Sequence, residues 1–345
     1  MKKIIALILA ITLLFSFAAC SGSTDNGGTN TTDTNMSAEV SFPVKVTDQL
    51  GREVTIEKKP EKIVSGYYIS TSLLVALGLE DNLVGIEAKA SSRPIYKLAA
   101  PQLLELPSVG TAKNFDLEGC TALNPDLVIL PVKLKDSIPA LEELGIKVLA
   151  VNPEDGDLLN EAIDLVAKAT GTTERANELK AFNDKLIGEI SAAVKDSEKP
   201  SVYLSSNGTF TAAAGAKMYQ NTIIENAGGT NAAAEITDTS WAKVSYEQIN
   251  KWNPDVIVIA SDADYTVDDV LSDSAVSQVT AVKEKKVYKM PDSFESWDSP
   301  VPSGVLGTAW LANKLHPDKY SDEAYEKAVK EFYETFYGFT PDLQA

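Results

Sequence analysis

The sequence predicts an α/β fold of two doubly wound α/β lobes bridged by one long α-helix, and three observations support it. From residue 44 onward, short β-rich runs alternate with helical runs, which is typical of parallel sheets flanked by helices. A proline-free stretch in the middle of the chain has the apolar spacing of a helix. One phrase also occurs twice, as LNPDLVIL at 123–130 and as WNPDVIVI at 252–259.

Length and charge limit the function. The chain has 345 residues, enough for two domains with cores of their own, and its formal charge is −18. Nucleic-acid binding needs clustered Lys and Arg that dominate the local field. We therefore expect no nucleic-acid partner.

The N-terminus predicts export. Residues 1–19 combine two lysines with an apolar run that is too short to span a bilayer comfortably, as in a signal peptide. The run ends in FAAC, which resembles a bacterial lipobox in which Cys20 is lipidated. The alternative is a plain secreted protein with an incidental cysteine. Residues 20–43 are then a lipidated cysteine and a flexible polar linker, and the protein is extracytoplasmic, anchored by lipid to the outer face of the cytoplasmic membrane.

Residues 44–171 are predicted to form the first lobe. Its elements in chain order are strand KIVSGYY, helix STSLLVALGL, strand LVGIE, helix DLEGCTAL, strand DLVIL, helix SIPALEELG and strand KVLAV. Gly145 follows the last of these helices as a natural C-terminal stop. Cys120 has no disulfide partner once Cys20 is acylated, so we expect a small core residue.

Residues 172–197 are predicted to form the bridging helix, and residues 198–345 the second lobe. The apolar residues of the helix recur three and four positions apart, at Leu179, Phe182, Leu186, Ile187 and Ile190. The second lobe begins with strand SVYLSS and continues with a helix at 219–227, helix VSYEQINKW, strands DVIVIA and KKVYKM, and helices at 303–315 and 322–336. Trp252 and Trp310 lie on helices and are expected in the core.

The repeated phrase predicts equivalent corners in the two lobes. At a constant offset of 129, Glu118 aligns with Glu247, and each N-P-D sequence follows a helix of matching length. Proline prevents the preceding helix from continuing, and the aspartate begins the next strand. The alternative is that such corners recur by chance in α/β proteins.

Several motifs together identify a family resemblance. The lipobox, the polar linker, VTDQLGREVTIEKKPEKIVS at 46–65, the repeated corner and WLANKLHPDKY resemble solute receptors with the periplasmic-binding-protein fold, in the group that serves importers of iron complexes and cobalamin. The resemblance implies a class III architecture, in which a monomer clasps a small-molecule ligand between two lobes. It also implies an ABC permease with its ATPase subunits as partner, and no cofactor or catalysis in this chain.

The same resemblance gives a role to the paired glutamates. In the cobalamin-binding member of the group, one surface glutamate on each lobe docks on basic residues of the permease, and Glu118 and Glu247 match those positions. The alternative is that each glutamate only stabilises the first turn of its helix through the helix dipole.

Ligand contacts are expected in the loops beyond the C-terminal ends of the strands, where doubly wound sheets bind their ligands. The aromatic and cationic residues of these loops are Tyr67, Tyr68, Arg93, Lys113, Lys133, Lys217, Trp241, Lys243 and Trp297. The segment SWAKVSYE around Trp241 resembles one that carries a ligand-facing tryptophan in the family. A loop tryptophan is otherwise a partly buried packing residue, and Arg93 is either an anion clamp or a solvated arginine.

The composition argues against direct coordination of a bare metal and against catalysis. His316 is the only histidine, is expected at the surface of a helix end, and cannot complete a Ser-His-Asp or Cys-His set. The carboxylates of SDADYTVDD (Asp262, Asp264, Asp268, Asp269) lack the glycine and terminal glutamate of a calcium loop. A secreted glycosidase is not excluded by counting acids, and a haem-binding adhesin would need a tyrosine ligand such as Tyr67 or Tyr68.

These observations favour a receptor for a metal that arrives inside a chelator. A ferric siderophore is the first choice and a corrinoid the second, followed by haem or an oxyanion such as molybdate.

Overall fold

The structure is a computed structural model that describes residues 41–206, 208–237, 241–261 and 263–343. The predicted signal peptide, Cys20, nearly all of the linker and Asp262 lie outside these residues. None of the described helices has the length and apolar character needed to cross a membrane.

The first lobe contains one parallel sheet and two small hairpins. Its strands are β1 Val44–Thr47, β2 Glu53–Ile56, β3 Ile63–Ser65, β4 Leu83–Gly85, β5 Gly110–Thr111, β6 Asn114–Phe115, β7 Leu127–Pro131 and β8 Lys147–Val151. Its helices are α1 Tyr68–Ala76, α2 Pro94–Ala99, α3 Leu117–Ala122, α4 Ile138–Glu143 and α5 Gly156–Thr170. The parallel sheet has the order β4-β3-β7-β8, and β1 pairs antiparallel with β2. Strand β7 is buried along its whole length, as expected for a central strand of a parallel sheet with both faces covered.

Two local differences from the sequence prediction concern this lobe. Strand β3 ends at Ser65 and α1 begins at Tyr68, so Tyr67 and Tyr68 stand at a strand-to-helix turn rather than within a strand. Helix α5 lies in a stretch for which the sequence analysis predicts no element, although its buried residues Leu159, Ala162 and Ile163 have helical spacing.

Helix α6, Thr173–Val194, connects the lobes. Its 22 residues span about 33 Å at 1.5 Å per residue. The buried face consists of Ala176, Leu179, Leu186, Ile190 and Val194, while Phe182 and Ile187 are half-buried against the core. One apolar cluster continues from α1 through α6 into the second lobe.

The second lobe contains a mixed sheet covered by helices. Its strands are β9 Ser201–Ser205, β10 Ala212–Ala213, β11 Thr230–Asn231, β12 Ala242–Lys243, β13 Val256–Ile259 and β14 Val287–Lys289. Its helices are α7 Tyr219–Asn226, α8 Tyr246–Trp252, α9 Val267–Ser272, α10 Thr280–Lys283, α11 Val305–Leu315 and α12 Asp322–Phe336. The sheet order is β12-β10-β9-β13-β14, with β11 on β9 and β10 and β12 antiparallel to their neighbours. Both lobes are thus α/β layers, and the predicted fold class is confirmed.

The repeated phrase forms the predicted corner in each lobe. Asn124 and Asn253 both adopt positive φ, at 50° and 47°, which ends the preceding helix. The following aspartates bind backbone N–H groups at the start of the neighbouring strand: Asp126 Oδ2 accepts from Glu61 and Lys62, and Asp255 Oδ2 accepts from Ser201. Each aspartate therefore joins two neighbouring strands of its sheet at their N-terminal ends.

Core positions follow the prediction at Cys120 but not at His316. Cys120 is fully buried and Trp310 is 5% exposed, whereas Trp252 is half-buried. His316 was expected at the surface but is 5% exposed, with Nε2 3.2 Å from the carbonyl oxygen of Gly228. The reason is a tight turn at Gly228, whose φ of +82° brings the chain so close that a Cβ there would lie 2.9 Å from His316 Nε2.

Candidate ligand-binding cleft

Two cavities open between the lobes at the loops that follow the strands. The first, which we call the Arg93 cavity, has a volume of about 510 Å³. Its walls are Tyr68 and residues 92–96 of the first lobe, and residues 292–296 and Val301 of the second. The second, which we call the Lys217 cavity, has a volume of about 680 Å³ and lies between residues 133–158 and 216–225. Both volumes are in the range of small-molecule sites.

Arg93 is the cation of the first cavity. It precedes Pro94, the first residue of α2, and its guanidinium carbon lies 4.0 Å from the centroid of the Tyr68 ring. Its Nε lies 3.4 Å from Oε1 of Glu87, and its side chain is 32% exposed. Nε makes no hydrogen bond within the described part of the chain. The stacking on Tyr68 is a cation–π contact that fixes the plane of the guanidinium.

Glu87 is the buried carboxylate that lies next to Arg93. It is 5% exposed and accepts hydrogen bonds from Thr71 Oγ1 at 2.5 Å and from the Tyr96 hydroxyl at 2.7 Å. Burial raises the pKa of Glu87, while the hydrogen bonds from Thr71 and Tyr96 and the charge of Arg93 act in the opposite direction. The aromatic and hydroxyl groups around it hold the carboxyl group in one position.

The two tyrosines of the strand-to-helix turn lie side by side. Tyr67 and Tyr68 are half-buried, with ring centroids 5.2 Å apart in an edge-to-face arrangement. The Tyr68 hydroxyl reaches across the cleft to Ser299 Oγ at 3.4 Å. Burial, with smaller contributions from Tyr68 and Glu154, raises the pKa of Tyr67, so it is a neutral hydrogen-bonding group at physiological pH.

The predicted lysines are distributed over the surface rather than collected in one site. Lys133 and Lys217 line the Lys217 cavity, where Lys133 Nζ lies 3.8 Å from Glu154 Oε1. Lys113 and Lys243 are exposed and are not among the described residues that line either cavity. The structure therefore brings Arg93 and Tyr68 into one cavity and Lys133 and Lys217 into the other, and it places Lys113 and Lys243 in the lining of neither.

The two tryptophans proposed for ligand contact have different environments. Trp241 is half-buried and packs against the main apolar core at the start of β12, next to residues 238–240, which the structure does not describe. Trp297 is 1% exposed, and its indole N–H donates to the Tyr333 hydroxyl at 2.9 Å. We assign no ligand contact to Trp297, because its ring packs among other aromatic side chains.

The sequence pattern gives no signal for Glu295, an acidic residue in the cleft wall. Glu295 lines the Arg93 cavity but is 7% exposed. It follows β14 in the segment FESWDSP, where the sequence prediction names only Trp297, and the buried Asp298 of the same segment accepts a hydrogen bond from Ser261 Oγ. In the described part of the chain, no three His, Cys, Asp or Glu side chains are arranged to hold a metal ion.

The exposed glutamates have matching positions in the two lobes. Glu118 is the second residue of α3, and Glu247 is the second residue of α8. Each helix begins at a side-chain cap, Asp116 in the first lobe and Ser245 in the second. The helices lead into the equivalent corners, so the repeat places one exposed carboxylate at the same structural position in each lobe.

Comparison with known proteins identifies relatives among solute receptors. The chain is 28% identical to the molybdate-binding protein MolA of Haemophilus influenzae over 331 residues, covering 87% of this chain and 93% of the relative. It is 29% identical to the Bacillus subtilis protein YvrC, an uncharacterized ABC transporter substrate-binding lipoprotein, over 81% of this chain and 88% of that protein. A cobalamin-binding protein of Halobacterium salinarum is 28% identical over 80% of this chain and 75% of that protein.

Structural comparison agrees with the sequence relatives. The solved structure of MolA bound to molybdate superimposes with a TM-score of 0.75 at 25% identity, covering 87% of this chain and 99% of that chain. Residues 63–294 match the family described as periplasmic binding protein, and this range spans both sheets and α6. The chain therefore belongs to the periplasmic binding protein family and is a substrate-binding protein of an ABC importer.

Proposed function

We propose that this receptor captures an anionic metal chelate, with a ferric siderophore as first choice, in the Arg93 cavity and delivers it to its permease. The observation that carries the proposal is a cavity of about 510 Å³ between the lobes with Arg93 held over the Tyr68 ring. A planar guanidinium binds carboxylate groups in a bidentate manner, and the adjacent ring offers an apolar surface.

Size and polarity support a chelate. Cavities of this volume hold organic ligands, whereas a four-oxygen oxyanion fills only a small part of such a space. The wall is mixed, since Ile95, Phe294 and Val301 stand beside the polar groups. The Nε of Arg93 is buried and faces Glu87 Oε1 at 3.4 Å, whereas the side chain as a whole is 32% exposed. The terminal nitrogens of the guanidinium are therefore the donors that would meet an anionic group of the ligand.

A second candidate is an oxyanion receptor. MolA, a relative that covers 87% of this chain, is named for molybdate binding. Arg93 serves an oxyanion as well as a carboxylate, because both present oxygens that accept from the guanidinium. A corrinoid receptor is also retained, since a cobalamin-binding protein is among the relatives.

Calorimetric titration of the full-length protein in detergent tests these ligands directly. The probes are ferric citrate, ferric enterobactin, cyanocobalamin, haemin and sodium molybdate. We expect saturable binding of a ferric chelate, and Arg93→Ala should weaken it roughly 10- to 150-fold, the equivalent of losing a charged hydrogen bond of about 1.5–3 kcal/mol. Lys97→Ala is the matched control, because Lys97 is an exposed cation on α2, the helix that begins directly after Arg93.

Each other outcome decides against the first choice. Binding of molybdate alone would favour the oxyanion receptor, and binding of cyanocobalamin alone would favour the corrinoid receptor. If ferric chelates bind but Arg93→Ala has the affinity of Lys97→Ala, the ligand does not occupy the Arg93 cavity.

We further propose that Glu118 and Glu247 dock on basic residues of the permease. Three observations support this role: both side chains are exposed, both occupy the second position of a helix, and the helices lead into equivalent corners. Membership in a family of ABC-importer receptors supplies the partner. Charge complementarity of this kind sets the encounter rate and orientation more than the final affinity.

We also propose that lipid on Cys20 anchors the receptor to the outer face of the cytoplasmic membrane. The lipobox-like FAAC sequence supports this, and the relative YvrC is named a lipoprotein. The polar linker then gives the folded lobes the reach to meet a permease in the same membrane.

A further inference from the structure

A buried hydrogen-bond network crosses from one lobe to the other at Glu295. Its Oε1 accepts from Ser72 Oγ at 2.6 Å, and Ser72 belongs to α1 of the first lobe. Its Oε2 accepts from Ser303 Oγ at 2.5 Å, and Ser303 precedes α11 of the second lobe. The Tyr337 hydroxyl, after α12, lies 2.8 Å from Ser72 Oγ and 3.3 Å from Glu295 Oε2.

The residues of the network are buried. Ser303 is fully buried, Ser72 is 1% exposed, Tyr337 is 5% exposed and Glu295 is 7% exposed. A buried carboxyl group is stabilised only while its partners remain in place, and removal of one partner leaves a costly unpaired polar atom. The first lobe therefore cannot move away from Glu295 without breaking the bond to Ser72 and opening this network to water.

The same residue lies in the wall of the Arg93 cavity. Glu295 follows β14 in the segment 292–296, which forms the second-lobe wall of that cavity. Arg93 stands on the opposite wall and acts electrostatically on Glu295. Ser72 and Tyr68 both belong to α1, so the bond between Glu295 and Ser72 ties the second-lobe wall to the helix that carries part of the first-lobe wall.

We propose that Glu295 is a positioning residue that joins the two lobes through Ser72 and Ser303 and sets the width of the Arg93 cavity. It does not bind the ligand itself in this role. The inference rests on the proposed function only for the statement that the ligand occupies this cavity; the link between the lobes stands without it.

The charge state of Glu295 supplies a second property. Burial raises its pKa, while the hydrogen bonds from Ser303, Ser72 and Tyr337 and the charge of Arg93 act in the opposite direction. The titratable groups that face it are Arg93 of the first lobe and Tyr333 and Tyr337 at the end of α12. Since the folded protein favours the protonated form more than the unfolded chain does, stability falls as the pH rises from the ordinary pKa of glutamate toward the raised value.

Distance measurements on the ligand-free protein test the link between the lobes. Spin labels are placed at Lys97→Cys on α2 and Lys283→Cys on α10, two exposed positions in different lobes, in the full-length protein. Double electron–electron resonance between the two labels should give a narrow distance distribution when Glu295 and Ser72 are both retained. Glu295→Gln should give the same result, because its amide can bond both serines. Glu295→Ala and Ser72→Ala should give longer and broader distributions. Protein without the introduced cysteines measures background labelling, and Glu105→Ala is the control for an exposed acid.

The outcomes separate this inference from the ligand proposal. Unchanged distributions in folded Glu295→Ala and Ser72→Ala would overturn it, whichever probe the protein binds. If Glu295→Ala does not fold, Ser72→Ala alone decides, because Glu295 itself is retained.

The free energy of unfolding measured against pH gives a second readout. We expect the wild type, but not Glu295→Gln, to lose unfolding free energy as the pH rises across the raised pKa of Glu295. Identical pH profiles for the two proteins would count against the role, because a residue that only fills space has no such pH dependence. Should ferric citrate bind, Glu295→Ala should also release it several-fold faster than Glu295→Gln does.

Discussion

The corner at Asn124-Pro125-Asp126 and the corner at Asn253-Pro254-Asp255 have the same backbone course but different supports. In the first, Asp126 accepts two backbone N–H groups, at 3.0 and 3.2 Å, and lies 3.5 Å from Lys58 Nζ. In the second, Asp255 accepts one N–H at 2.8 Å, and Asn253 Oδ1 accepts from the backbone N–H and the hydroxyl of Thr280. The shared letters encode the backbone, while the neighbours supply the remaining contacts.

This comparison explains what the repeat does for the molecule. Positive φ at the asparagine and the ring of the proline end the helix, and the aspartate aligns the next strand with its neighbour. Neither corner contributes to the two cleft cavities among the described residues. The repeat thus orients α3 and α8, with Glu118 and Glu247 in their first turns, rather than forming a ligand site.

The largest effect is expected when both exposed glutamates are removed. Glu118→Ala with Glu247→Ala should reduce uptake of the bound solute by cells at least roughly 10-fold, because the encounter with the permease loses its charge guidance in both lobes. Ligand affinity in calorimetry should stay unchanged. If the two glutamates contribute equally to docking, the two single substitutions should reduce uptake to similar extents.

The matched control for uptake removes two exposed acids elsewhere. Glu105→Ala with Glu323→Ala changes the net charge equally and leaves α3 and α8 intact. Full uptake by the Glu118 and Glu247 double variant would refute docking, and equal losses in both double variants would reduce the effect to net charge.

An intermediate effect is expected at the aspartates of the corners. Asp126→Ala and Asp255→Ala should each lower the free energy of unfolding by about 1.5–3 kcal/mol, the usual size for hydrogen bonds to a charged group. Urea denaturation followed by circular dichroism measures this. At neutral pH, Asp126→Ala should lower the free energy of unfolding more than Asp255→Ala does, because Asp126 binds two N–H groups and Asp255 binds one.

The pH dependence of Asp126 sharpens the comparison. Burial acts to raise its pKa, but the hydrogen bonds from Glu61 and Lys62 and the nearby Lys58 lower it below the ordinary value. The contribution of Asp126 is therefore complete above the ordinary pKa of aspartate and is lost as the pH falls through the lowered value. The difference between wild type and Asp126→Ala should shrink in acid; a difference independent of pH would contradict the ionic contribution.

Much of the architecture could be predicted because its signals are local. Helix α12 has the predicted bounds, and α6 lies within the predicted stretch, since apolar residues three and four apart identify a buried helical face. The corners were found because helix termination at N-P-D depends on adjacent residues. Arg93 and Tyr68 were selected because loops after parallel strands meet at one edge of the sheet.

The remainder depends on partners far away in the chain. Ser72 and Glu295 are 223 positions apart, and nothing near either residue indicates the other. Trp297 stands in a segment with the residue types expected of a cleft loop. Its indole N–H nevertheless donates to the Tyr333 hydroxyl on α12, a contact that depends on tertiary packing. His316 is buried for the same reason, through a turn at Gly228 that lies 88 positions earlier.

The smallest expected effect is the difference in stability between glycine substitutions at Asn124 and at Asn253. Both adopt positive φ, a region that glycine enters without the steric cost borne by other residues. Asn124→Gly should therefore be nearly neutral, because its side chain makes no hydrogen bond to another described residue. Asn253→Gly should lower the free energy of unfolding by about 1 kcal/mol, since it loses the bonds from Thr280.

Thr280→Val is the matched test, because it removes the hydroxyl and keeps the backbone N–H. Equal stabilities for the two glycine variants would show that the contact between Asn253 and Thr280 of α10 contributes nothing to stability. A loss at Asn253 alone would show that the second lobe uses its asparagine to hold a neighbouring helix as well as to turn the chain.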